Sequence, residues 1–512
     1  MRRSAVVLAA ITAIAAAACG DESERPSGPP NPHTPSARVG PELGKGTYRR
    51  PKQLDAGERR VRLVADTERV PIGGHELVAT VYNGQFQPPT LHVAPGETLR
   101  LTLVNRLDEV TNIHYHGLHV SPRGNSDNVF IEIQPGESQR YSVKLPPDHE
   151  PGLYWYHSHA HHHSSGQVSG GLAGLISVDG IRDLLPQQLR HVRERQIALK
   201  DVTVDPHHPT ELAREKDTGG ERQSPETVNK HGPRLINAVH RPALEIHPGE
   251  TQLWRIANLG ANMFQRFAVR GVEMLVVGED GNPVWQTWRA DSLVMPPGKR
   301  YEVLVQGPRK GKVAIESLRY RQGITPSNAL EIPPHRIGTL RSAGAPGAAA
   351  DLPASMRPRA DLDDAQIAKW RRFDFSIPFQ PGKGCRNAKH CQPGAHGGTG
   401  ARVLYTINDQ LFDPNVTNVR PALDTVEEWT LTNSSTERHP FHIHVNDFQV
   451  MSVNGRPYNA RGLQDTVTIP PQGGETVVRI PFEDYTGRFV FHCHILNHED
   501  RGMMQTVDVV RR

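Results

Sequence analysis

Histidines occur in this chain in four short clusters whose spacing suits metal binding. The clusters are His114-Tyr115-His116, His157-Ser158-His159, His439-Pro440-Phe441-His442-Ile443-His444 and His492-Cys493-His494. In an extended strand, side chains two residues apart point to the same face, so each His-x-His pair can hold one metal ion or two adjacent ions. One such pair is weak evidence, because histidines also occur at surfaces and in cores without a metal. Four pairs in one chain, one of them enclosing a cysteine, predict a metal centre.

Cys493 is placed to join two kinds of metal site. Because neighbouring residues of a strand face opposite ways, its thiolate points away from the imidazoles of His492 and His494. Cys493 can therefore bind a metal on one side while its neighbours bind metals on the other. A thiolate, two imidazoles and a more distant thioether form the ligand set of a blue-copper electron-transfer site. That set is available here as Cys493, His439, His498 and Met503.

The elements that must position these side chains are strands of three related domains. Similar segments start at Asn83, Asn237 and Asn408, a spacing that is too long for a solenoid repeat and typical of whole domains. Each copy also contains a later Pro- and Gly-bearing turn followed by alternating residues, as in Pro297-Gly298-Lys299 before Tyr301. A turn that leads into two-residue alternation predicts a half-buried strand. Each domain is therefore expected to be an antiparallel β-sandwich or barrel.

Composition agrees with an all-β globular protein. The 512 residues are enough for about three ordinary domains, and 36% of them are apolar, which excludes a chain that is disordered throughout. The 46 glycines and 43 prolines favour many short strands joined by turns. The net charge is only +4 and no basic stripe is present, so nucleic acid is not an expected partner.

The first residues have the features of an export signal. Met1-Arg2-Arg3 precedes an apolar run from Ala5 to Ala18 that is too short to span a bilayer. The run ends at Cys19, which resembles the lipidated first residue of bacterial lipoproteins; ordinary cleavage after an alanine is the alternative. The protein is therefore expected to be exported to the periplasm or cell envelope, with Cys19 as a candidate lipid anchor.

Two further cysteines, Cys385 and Cys391, lie in a Gly-rich segment. In an exported protein they are candidates for a disulfide. The alternative is a small metal site with His390 and His396, which is less favoured because no second cysteine pair completes a zinc set.

The predicted boundaries follow from the repeats and from changes in composition. A connecting helix is expected from Asp183 to Arg195, and residues 206–234 and 381–400 are predicted loop insertions. The expected organisation is a signal peptide (1–18), a flexible tether (19–57), domain 1 (58–182), domain 2 (183–341), a linker (342–360) and domain 3 (361–512).

In its histidine clusters the chain resembles the multicopper oxidases, the three-domain laccase and cuprous-oxidase family. The similarity covers about residues 60–512, and the run from His492 to Met504 is especially similar to bacterial members. The resemblance implies an all-β fold of three cupredoxin-like Greek-key β-barrel or sandwich domains. Tyr115 stands where tryptophan is commoner, and we expect it to pack beside the site without affecting ligation.

The resemblance also implies four copper ions: one type 1, one type 2 and two type 3. The implied type 1 ligands are His439, Cys493, His498 and axial Met503. The implied type 2 ligands are His114 and His442. The implied type 3 ligands are His116, His157, His159, His444, His492 and His494. Since the first and third repeats supply every ligand, the trinuclear cluster is expected between domains 1 and 3, with domain 2 as a spacer without copper.

The implied reaction couples one-electron oxidation of a small reductant to the reduction of O2 to water. Electrons are expected to enter through an exposed imidazole edge of His498 or His439 and to pass from Cys493 to its histidine neighbours. By resemblance, Glu499 is the proton donor to bound oxygen species and Asp127 is the acidic residue that assists at the type 2 side. The alternatives are a solvated charge for Glu499 and an ordinary turn residue for Asp127.

The identity of the reductant is the open part of this interpretation. A laccase-like enzyme takes phenols or aromatic amines, whereas a metallo-oxidase of copper tolerance takes Cu(I). Members specialised for Cu(I) often carry a methionine-rich insert, because thioethers suit Cu(I). This chain has eight scattered methionines and no such insert, which favours the laccase-like function. A copper-free envelope scaffold is disfavoured because all the ligand residues are present, and the sequence leaves the oligomeric state open.

Overall fold

The computed structural model describes residues 46–57, 59–205, 208, 210–212, 231–323, 330–347, 350–380 and 402–512. Cys19, Cys385 and Cys391 lie outside these residues, as do the expected signal peptide and most of the two predicted loop insertions. The lipid anchor and the disulfide therefore stay predictions. None of the described helices has both the length and the apolar character needed to cross a membrane.

Alternating segments form the strands of the first repeat, as the sequence predicts. Strand β5 buries Leu99, Leu101 and Leu103 and turns Arg100 to solvent. The strands and helix of this repeat are β1 (Gln53–Asp55), β2 (Val61–Ile72), β3 (His75–Tyr82), β4 (Thr90–Val93), β5 (Thr98–Asn105), β6 (His114–His116), β7 (Ser138–Lys144), β8 (Leu153–His157), α1 (Ser164–Gly170) and β9 (Ala173–Val178). They form two sheets, β1-β4-β9-β8-β6 and β3-β2-β5-β7, around one apolar core.

The second repeat forms a larger pair of sheets around a core of its own. Its strands are β10 (Arg193–Asp201), β11 (Arg234–Ile236), β12 (Val239–His240), β13 (Ala243–Ile246), β14 (Thr251–Asn258), β15 (Gln265–Val269), β16 (Met274–Glu279), β17 (Asn282–Ala290), β18 (Leu293–Met295), β19 (Arg300–Gln306), β20 (Gly311–Ser317), β21 (Tyr320–Arg321), β22 (Glu331–Ile332) and β23 (His335–Ser342). The sheet orders are β12-β11-β10-β14-β19-β16-β17 and β13-β23-β20-β15-β18, with β21 and β22 as a separate pair.

The third repeat has the same two-sheet plan and the most aromatic core. Its elements are β24 (Ile367–Ser376), β25 (Phe379–Gln380), β26 (Arg402–Val403), β27 (Thr406–Ile407), β28 (Thr425–Asn433), β29 (His439–Ile443), β30 (Gln449–Val453), β31 (Arg456–Pro457), β32 (Thr466–Ile469), β33 (Gly474–Phe482), β34 (Gly487–Cys493), α2 (Leu496–Asp500) and β35 (Met504–Val509). The sheet orders are β27-β24-β28-β33-β30-β31 and β32-β29-β34-β35, with β25 and β26 as a separate pair.

Two expectations about the connecting segments are wrong. The residues from Asp183 to Arg195 do not form a helix; they contain 3-10 turns that end at Leu184 and Leu189 and then enter β10. Pro186 explains this, because a proline disfavours helical backbone at the residue before it, and Leu185 is extended at φ −75° and ψ 151°. The predicted tether also ends before residue 57, since β1 pairs in parallel with β4 and covers its edge.

Strand pairing brings the histidine clusters together two by two. In the first repeat β6 pairs with β8, which sets His114 opposite His157. In the third repeat β29 pairs with β34, which sets His442 opposite His492. A further apolar cluster joins all three repeats, since residues of β8, β14 and α2 pack together in it. The edges that carry the histidines are thus held against each other by buried packing.

Candidate metal centre

Eight histidines of the first and third repeats meet in one buried cluster, which we call the eight-histidine cluster. Its members are His114, His116, His157, His159, His442, His444, His492 and His494, and each is at most 2% exposed. Two stacked pairs cross the boundary between the repeats. The rings of His114 and His444 are 3.7 Å apart, and so are those of His116 and His442.

The ring nitrogens of this cluster converge in groups. The Nε2 atoms of His159 and His444 each lie 3.3 Å from Nε2 of His492. Three nitrogens that point at one position are the arrangement of ligands around a single metal ion. A second group consists of the rings of His116, His157 and His494, whose centroids are 4.8 to 5.9 Å apart.

A third grouping joins the two repeats on the other side of the cluster. The ring centroids of His114 and His442 are 5.9 Å apart, and their ligand atoms, with one of His444, lie within 4.8 Å of one another. The sequence-predicted type 2 and type 3 residues are thus all brought together. Among the described residues, the second repeat alone forms no group of side chains able to hold a metal.

The eight-histidine cluster fits metal ions by its chemistry as well as its shape. Among the described residues, Nε2 of His114, His116, His157 and His442 has no hydrogen-bond partner although it is buried. A buried polar atom without a partner is costly unless it binds something else. Burial also lowers the pKa of His157 to about 3 and that of His159 to about 4, so these rings are neutral at physiological pH. The neutral imidazole is the form that binds a metal.

Hydrogen bonds around the cluster fix which ring nitrogen faces inward. Nδ1 of His442 donates to the carbonyl oxygen of Asp465 at 2.8 Å, and Nδ1 of His157 donates to that of Ser158 at 2.8 Å. Because Nδ1 carries the proton in both rings, Nε2 keeps its lone pair for a ligand. Outer hydrogen bonds of this kind orient the histidines of metal sites and raise their basicity.

Both carboxylates singled out from the sequence lie against the cluster. The Asp127 carboxylate is 3.0 Å from Nδ1 of His114 and accepts the backbone N–H of Tyr115 at 3.0 Å. Glu499 lies 3.0 Å from Nδ1 of His492 and 3.5 Å from Nδ1 of His159. Both are buried, so Glu499 is not a solvated charge, and Asp127, although it lies in a bend of the chain, turns its side chain to His114.

A separate group, the thiolate site, lies on the other face of β34. Sγ of Cys493 is 3.4 Å from Nδ1 of His439 and 3.7 Å from Nδ1 of His498. Met503 is fully buried in the same core, and its carbonyl oxygen accepts the N–H of Cys493 at 3.1 Å. Burial lowers the pKa of His439 to about 3, which keeps this ring neutral as well. The four residues predicted as one ligand set are therefore neighbours.

The expectation of an exposed imidazole edge is wrong. His439 is 0% and His498 is 1% exposed. The ring of Tyr405 stacks on His498 at 4.5 Å, and the Glu437 carboxylate lies 3.5 Å from its Nε2. Ser435 Oγ lies 2.8 Å from Nε2 of His439. The Glu437 side chain is 19% exposed and is therefore the partly exposed one of these neighbours.

Comparison with known proteins over most of the chain supports the family that the histidine clusters resemble. Sequence profiles described as "Multicopper oxidase" match residues 64–182, 195–321 and 380–512. The chain belongs to the multicopper oxidase family. Members of this family are oxidoreductases that use O2. This agrees with the copper protein of three cupredoxin-like domains that the sequence resemblance implied.

Individual multicopper oxidases are similar over most of their length. Multicopper oxidase MmcO of Mycobacterium tuberculosis is 26% identical over 475 residues, covering 88% of this chain and 86% of that protein. The laccase of Bacillus subtilis is 22% identical over 487 residues, covering 84% of this chain and 90% of the laccase. The structure of a Campylobacter jejuni multicopper oxidase described as a metallo-oxidase superposes with a TM-score of 0.73 at 24% identity, covering 92% of this chain and 99% of that one.

Several residues around the sites of this multicopper oxidase were missed by the sequence reasoning. Asp465, Glu437 and Tyr405 carry no motif of their own, and only folding brings them to the histidines. Asp465 does precede a strand, but acidic residues at strand starts are too common to indicate a site. The extra histidines are less central: Nδ1 of His162 lies 2.8 Å from the carbonyl oxygen of Asp500, and Nδ1 of His163 lies 3.2 Å from Glu109.

Proposed function

We propose that this protein is an exported, laccase-like multicopper oxidase that couples one-electron oxidation of phenols or aromatic amines to four-electron reduction of O2 to water. One observation carries the proposal. Cys493 lies between two buried histidine groups, with His439 and His498 at its sulfur and His492 and His494 directly beside it in the chain. With metals bound, this arrangement would link a one-electron site to a multi-metal site by covalent bonds.

The proposed cofactor content is four copper ions. One type 1 ion would be held by His439, Cys493, His498 and Met503. One type 2 ion would be held by His114 and His442. Two type 3 ions would be held by the groups His159, His444, His492 and His116, His157, His494. When bound, copper supplies the one-electron redox chemistry and the activation of O2.

The residues of this chain provide the path and the protons. From the Cys493 sulfur, the backbone leads directly to His492 and His494, and the carbonyl oxygen of Cys493 lies 3.1 Å from Nδ1 of His492. Glu499 is proposed to relay protons to the eight-histidine cluster, since it contacts Nδ1 of both His492 and His159. Asp127 is proposed to hold His114 and to exchange a proton with it.

Reductants are proposed to arrive over Glu437. This carboxylate is the partly exposed group in contact with Nε2 of His498. A phenol that loses an electron becomes strongly acidic, so a carboxylate beside the electron acceptor can take its proton in the same step. Burial raises the pKa of Glu437 to about 7, close to the range in which a general base works well at neutral pH.

Methionine placement supports a phenol over Cu(I) as the reductant. In the described part of the chain, Met263, Met274, Met295, Met356, Met503 and Met504 are buried and Met451 is half-buried. No thioether among them is fully exposed to receive a soft cation. The name of the Bacillus subtilis relative points the same way.

The test is O2 uptake by the copper-loaded protein with a phenol and with Cu(I), on the wild type and on Glu437→Gln. We expect faster uptake with the phenol, and a lower phenol rate in Glu437→Gln that is recovered at higher pH, where the free phenol ionises by itself. Faster uptake with Cu(I) would instead identify a cuprous oxidase. Absence of uptake with both donors at full copper loading would contradict the proposed oxidase function.

The location of the protein is proposed from its first residues alone. We propose export to the periplasm or cell envelope, with Cys19 as the lipid-bearing residue after cleavage. Cys19→Ala should move the protein from the membrane fraction to the soluble exported fraction. An unchanged distribution would contradict the anchor without affecting the proposed activity.

A further inference from the structure

The second domain reaches the eight-histidine cluster although it supplies none of its histidines. Residues 296–299 form the turn between β18 and β19. Gly298 of this turn and Arg300, the first residue of β19, lie against the cluster. We call Pro296–Arg300 the domain 2 turn. Gly298 in this turn has a φ of +87°, and a β-carbon there would lie 3.0 Å from Nε2 of His116 and 3.1 Å from Nε2 of His494. The backbone of the second domain therefore forms part of the wall that these nitrogens face.

Arg300, at the end of the domain 2 turn, is a fully buried charge that contacts all three repeats. Its Nη1 and Nη2 atoms lie 2.8 and 2.7 Å from the two carboxylate oxygens of Asp465 in the third repeat. Its Nε donates to the carbonyl oxygen of Leu153 in the first repeat at 3.1 Å. Its Nη1 lies 3.3 Å from Nδ1 of His116 and also donates to the carbonyl oxygen of Gly298 at 3.2 Å.

The partner of Arg300 is itself tied to the ring predicted to bind type 2 copper. The carbonyl oxygen of Asp465 accepts Nδ1–H of His442 at 2.8 Å. The carboxylate of Asp465 lies 3.7 Å from Nδ1 of His442 and 3.8 Å from Nδ1 of His116. Without Arg300, this carboxylate would be a buried charge without a counter-ion next to two imidazoles. It would be drawn towards those imidazoles, and the rings would lose their fixed orientation.

The domain 2 turn is held at this place by a second buried charge. Nζ of Lys299 donates to Asp280 at 2.8 Å within its own domain. It also donates to Gln464 at 3.0 Å and to the carbonyl oxygen of Thr466 at 2.9 Å, on either side of Asp465. The contact between Arg300 and Asp465 is therefore part of a fixed boundary between the second and third domains.

We propose that Arg300 is a positioning residue for the eight-histidine cluster. It holds Asp465 in place, and through Asp465 it orients the ring of His442. It also places one permanent positive charge beside His116. The second domain is then more than a spacer, because its turn orients two of the rings that bind copper. This inference rests on the proposed copper chemistry of the eight-histidine cluster. It adds a role for a residue outside the histidine clusters.

The experiment compares Arg300→Met and Arg300→Lys with Arg255→Met in the full-length, copper-loaded protein. Arg255 is the matched control: it is also a buried arginine of the second domain, it pairs with Glu302 at 2.6 Å and donates to Ser177, and it contacts none of the cluster histidines. The readouts are copper content, the type 2 signal in electron paramagnetic resonance, the blue type 1 absorption, and KM for O2 measured separately from kcat.

We expect Arg300→Met to bind type 2 copper about 10- to 100-fold more weakly, while the blue absorption stays intact. Arg300→Lys keeps the charge but not the two-pronged contact, so it should retain the copper with an altered type 2 signal and a raised KM for O2. Arg255→Met should have the wild-type type 2 signal. Because Arg300→Lys retains a buried cation, it tests the inference even if Arg300→Met does not fold.

Three results would overturn the inference. An unchanged type 2 signal and KM in Arg300→Lys would show that the orientation of the rings does not depend on Arg300. An equal loss of type 2 copper in Arg255→Met would show a general effect of removing a buried arginine. A wild type that binds copper at neither site would remove the proposed function itself, and this failure is distinguishable because the blue absorption would be absent before any substitution.

Discussion

Asp127 and Glu499 both touch ring nitrogens of the eight-histidine cluster, yet their surroundings act on them in opposite ways. Burial raises the pKa of Asp127 to about 8, because its effect is larger than the opposing effect of the hydrogen bond from the backbone N–H of Tyr115. Burial also acts to raise the pKa of Glu499, but His159 and His492 outweigh it and lower that pKa to about 2. In the metal-free protein at neutral pH, Asp127 therefore carries a proton and Glu499 is ionised. The two carboxyl groups are thus suited to different steps of proton delivery.

The substitution Asp127→Ala tests the role of the first carboxyl group. It removes the partner of His114 Nδ1 and leaves a buried N–H at Tyr115 without its acceptor. We expect type 2 copper to bind about 10- to 100-fold more weakly, as is typical when the outer partner of a metal-binding histidine is lost. Copper titration followed by electron paramagnetic resonance measures this. Asp179→Ala is the control, since Asp179 makes a comparable contact with His92 at an exposed position; equal losses in both variants would refute the assignment.

At the thiolate site, Met503→Leu tests whether the buried thioether sets the electron affinity of the type 1 site. Leucine has nearly the same volume, so the core should lose less than about 1.5 kcal/mol of stability. Removing a weak axial ligand should raise the reduction potential of the type 1 site while His439, Cys493 and His498 keep it blue. A redox titration of the blue absorption measures the shift. Met451→Leu, in β30 of the same domain, should leave the potential unchanged, and an unchanged potential in Met503→Leu would show that Met503 is not a ligand.

At the scale of the elements, two short helices from different domains hold the histidine-bearing strands against each other. Helix α1 follows the second histidine cluster, and the residue before it, His163, gives no side-chain cap. The cap comes from α2 instead: the Asp500 carboxylate accepts the N–H of Ser164 at 3.1 Å and that of Ser165 at 2.8 Å. Helix α2 also carries His498 and Glu499, so this cap connects both sites.

The substitution Asp500→Ala should therefore weaken the joint between the first and third domains. Loss of an N-cap costs about 0.5–2 kcal/mol, and here two N–H groups are buried, so we expect the upper part of this range. Asp500→Asn should recover most of the loss, because its amide oxygen can still accept one N–H. Urea denaturation followed by fluorescence measures the change, with the half-buried Asp508→Ala in β35 as the control. An equal effect of Asp508→Ala would argue against a specific cap.

The elements also show which local patterns were sufficient for prediction. Alternation predicted strands such as β5 and β33 correctly, because burial of every second residue is decided within the strand itself. The segment from Asp183 to Arg195 was misinterpreted because its apolar residues have helical spacing while Pro186 does not allow the helix. Leu185 and Leu189 instead pack against the second domain, where they are buried beside Leu253. Tertiary packing, which the local pattern does not contain, decided this segment.

At the scale of the whole molecule, the gathering of the histidines, of Asp127 and of Glu499 could be predicted from the sequence, but the other residues around them could not. The ligands are histidines at fixed short spacings, and strand geometry alone brings His114 and His116 to one face. Arg300 and Asp465 are 165 residues apart, and neither has a neighbour in sequence that hints at the other. Their meeting depends on how the second domain docks between the other two. For the same reason the burial of His498 under Tyr405 was not foreseen.

The same burial predicts that the metal-free protein is sensitive to acid. Burial lowers the pKa of His149, His157 and His439 to about 3 and that of His159 to about 4, against about 6.5 in an unfolded chain. The pKa values of His114, His116, His442, His444, His494 and His498 are also well below the usual value. Between pH 6.5 and 4 the unfolded chain therefore binds more protons than the folded one, and stability falls as the pH falls.

Buried acids oppose this trend but are outnumbered. The raised pKa values of Asp127, Asp447 and Glu437 stabilise the folded form as the pH falls from about 8 towards 4. Each group contributes a slope of about 1.4 kcal/mol per pH unit at most, so the many histidines prevail below pH 6.5. We expect the denaturation midpoint of the chelator-treated protein to drop steeply from pH 6.5 to 4. Bound copper should raise the midpoint without abolishing this fall, because copper-bound rings are also unprotonated while the unfolded chain still takes up the protons. A metal-free protein equally stable at pH 4.5 and 6.5 would show that the rings are not held neutral by the fold.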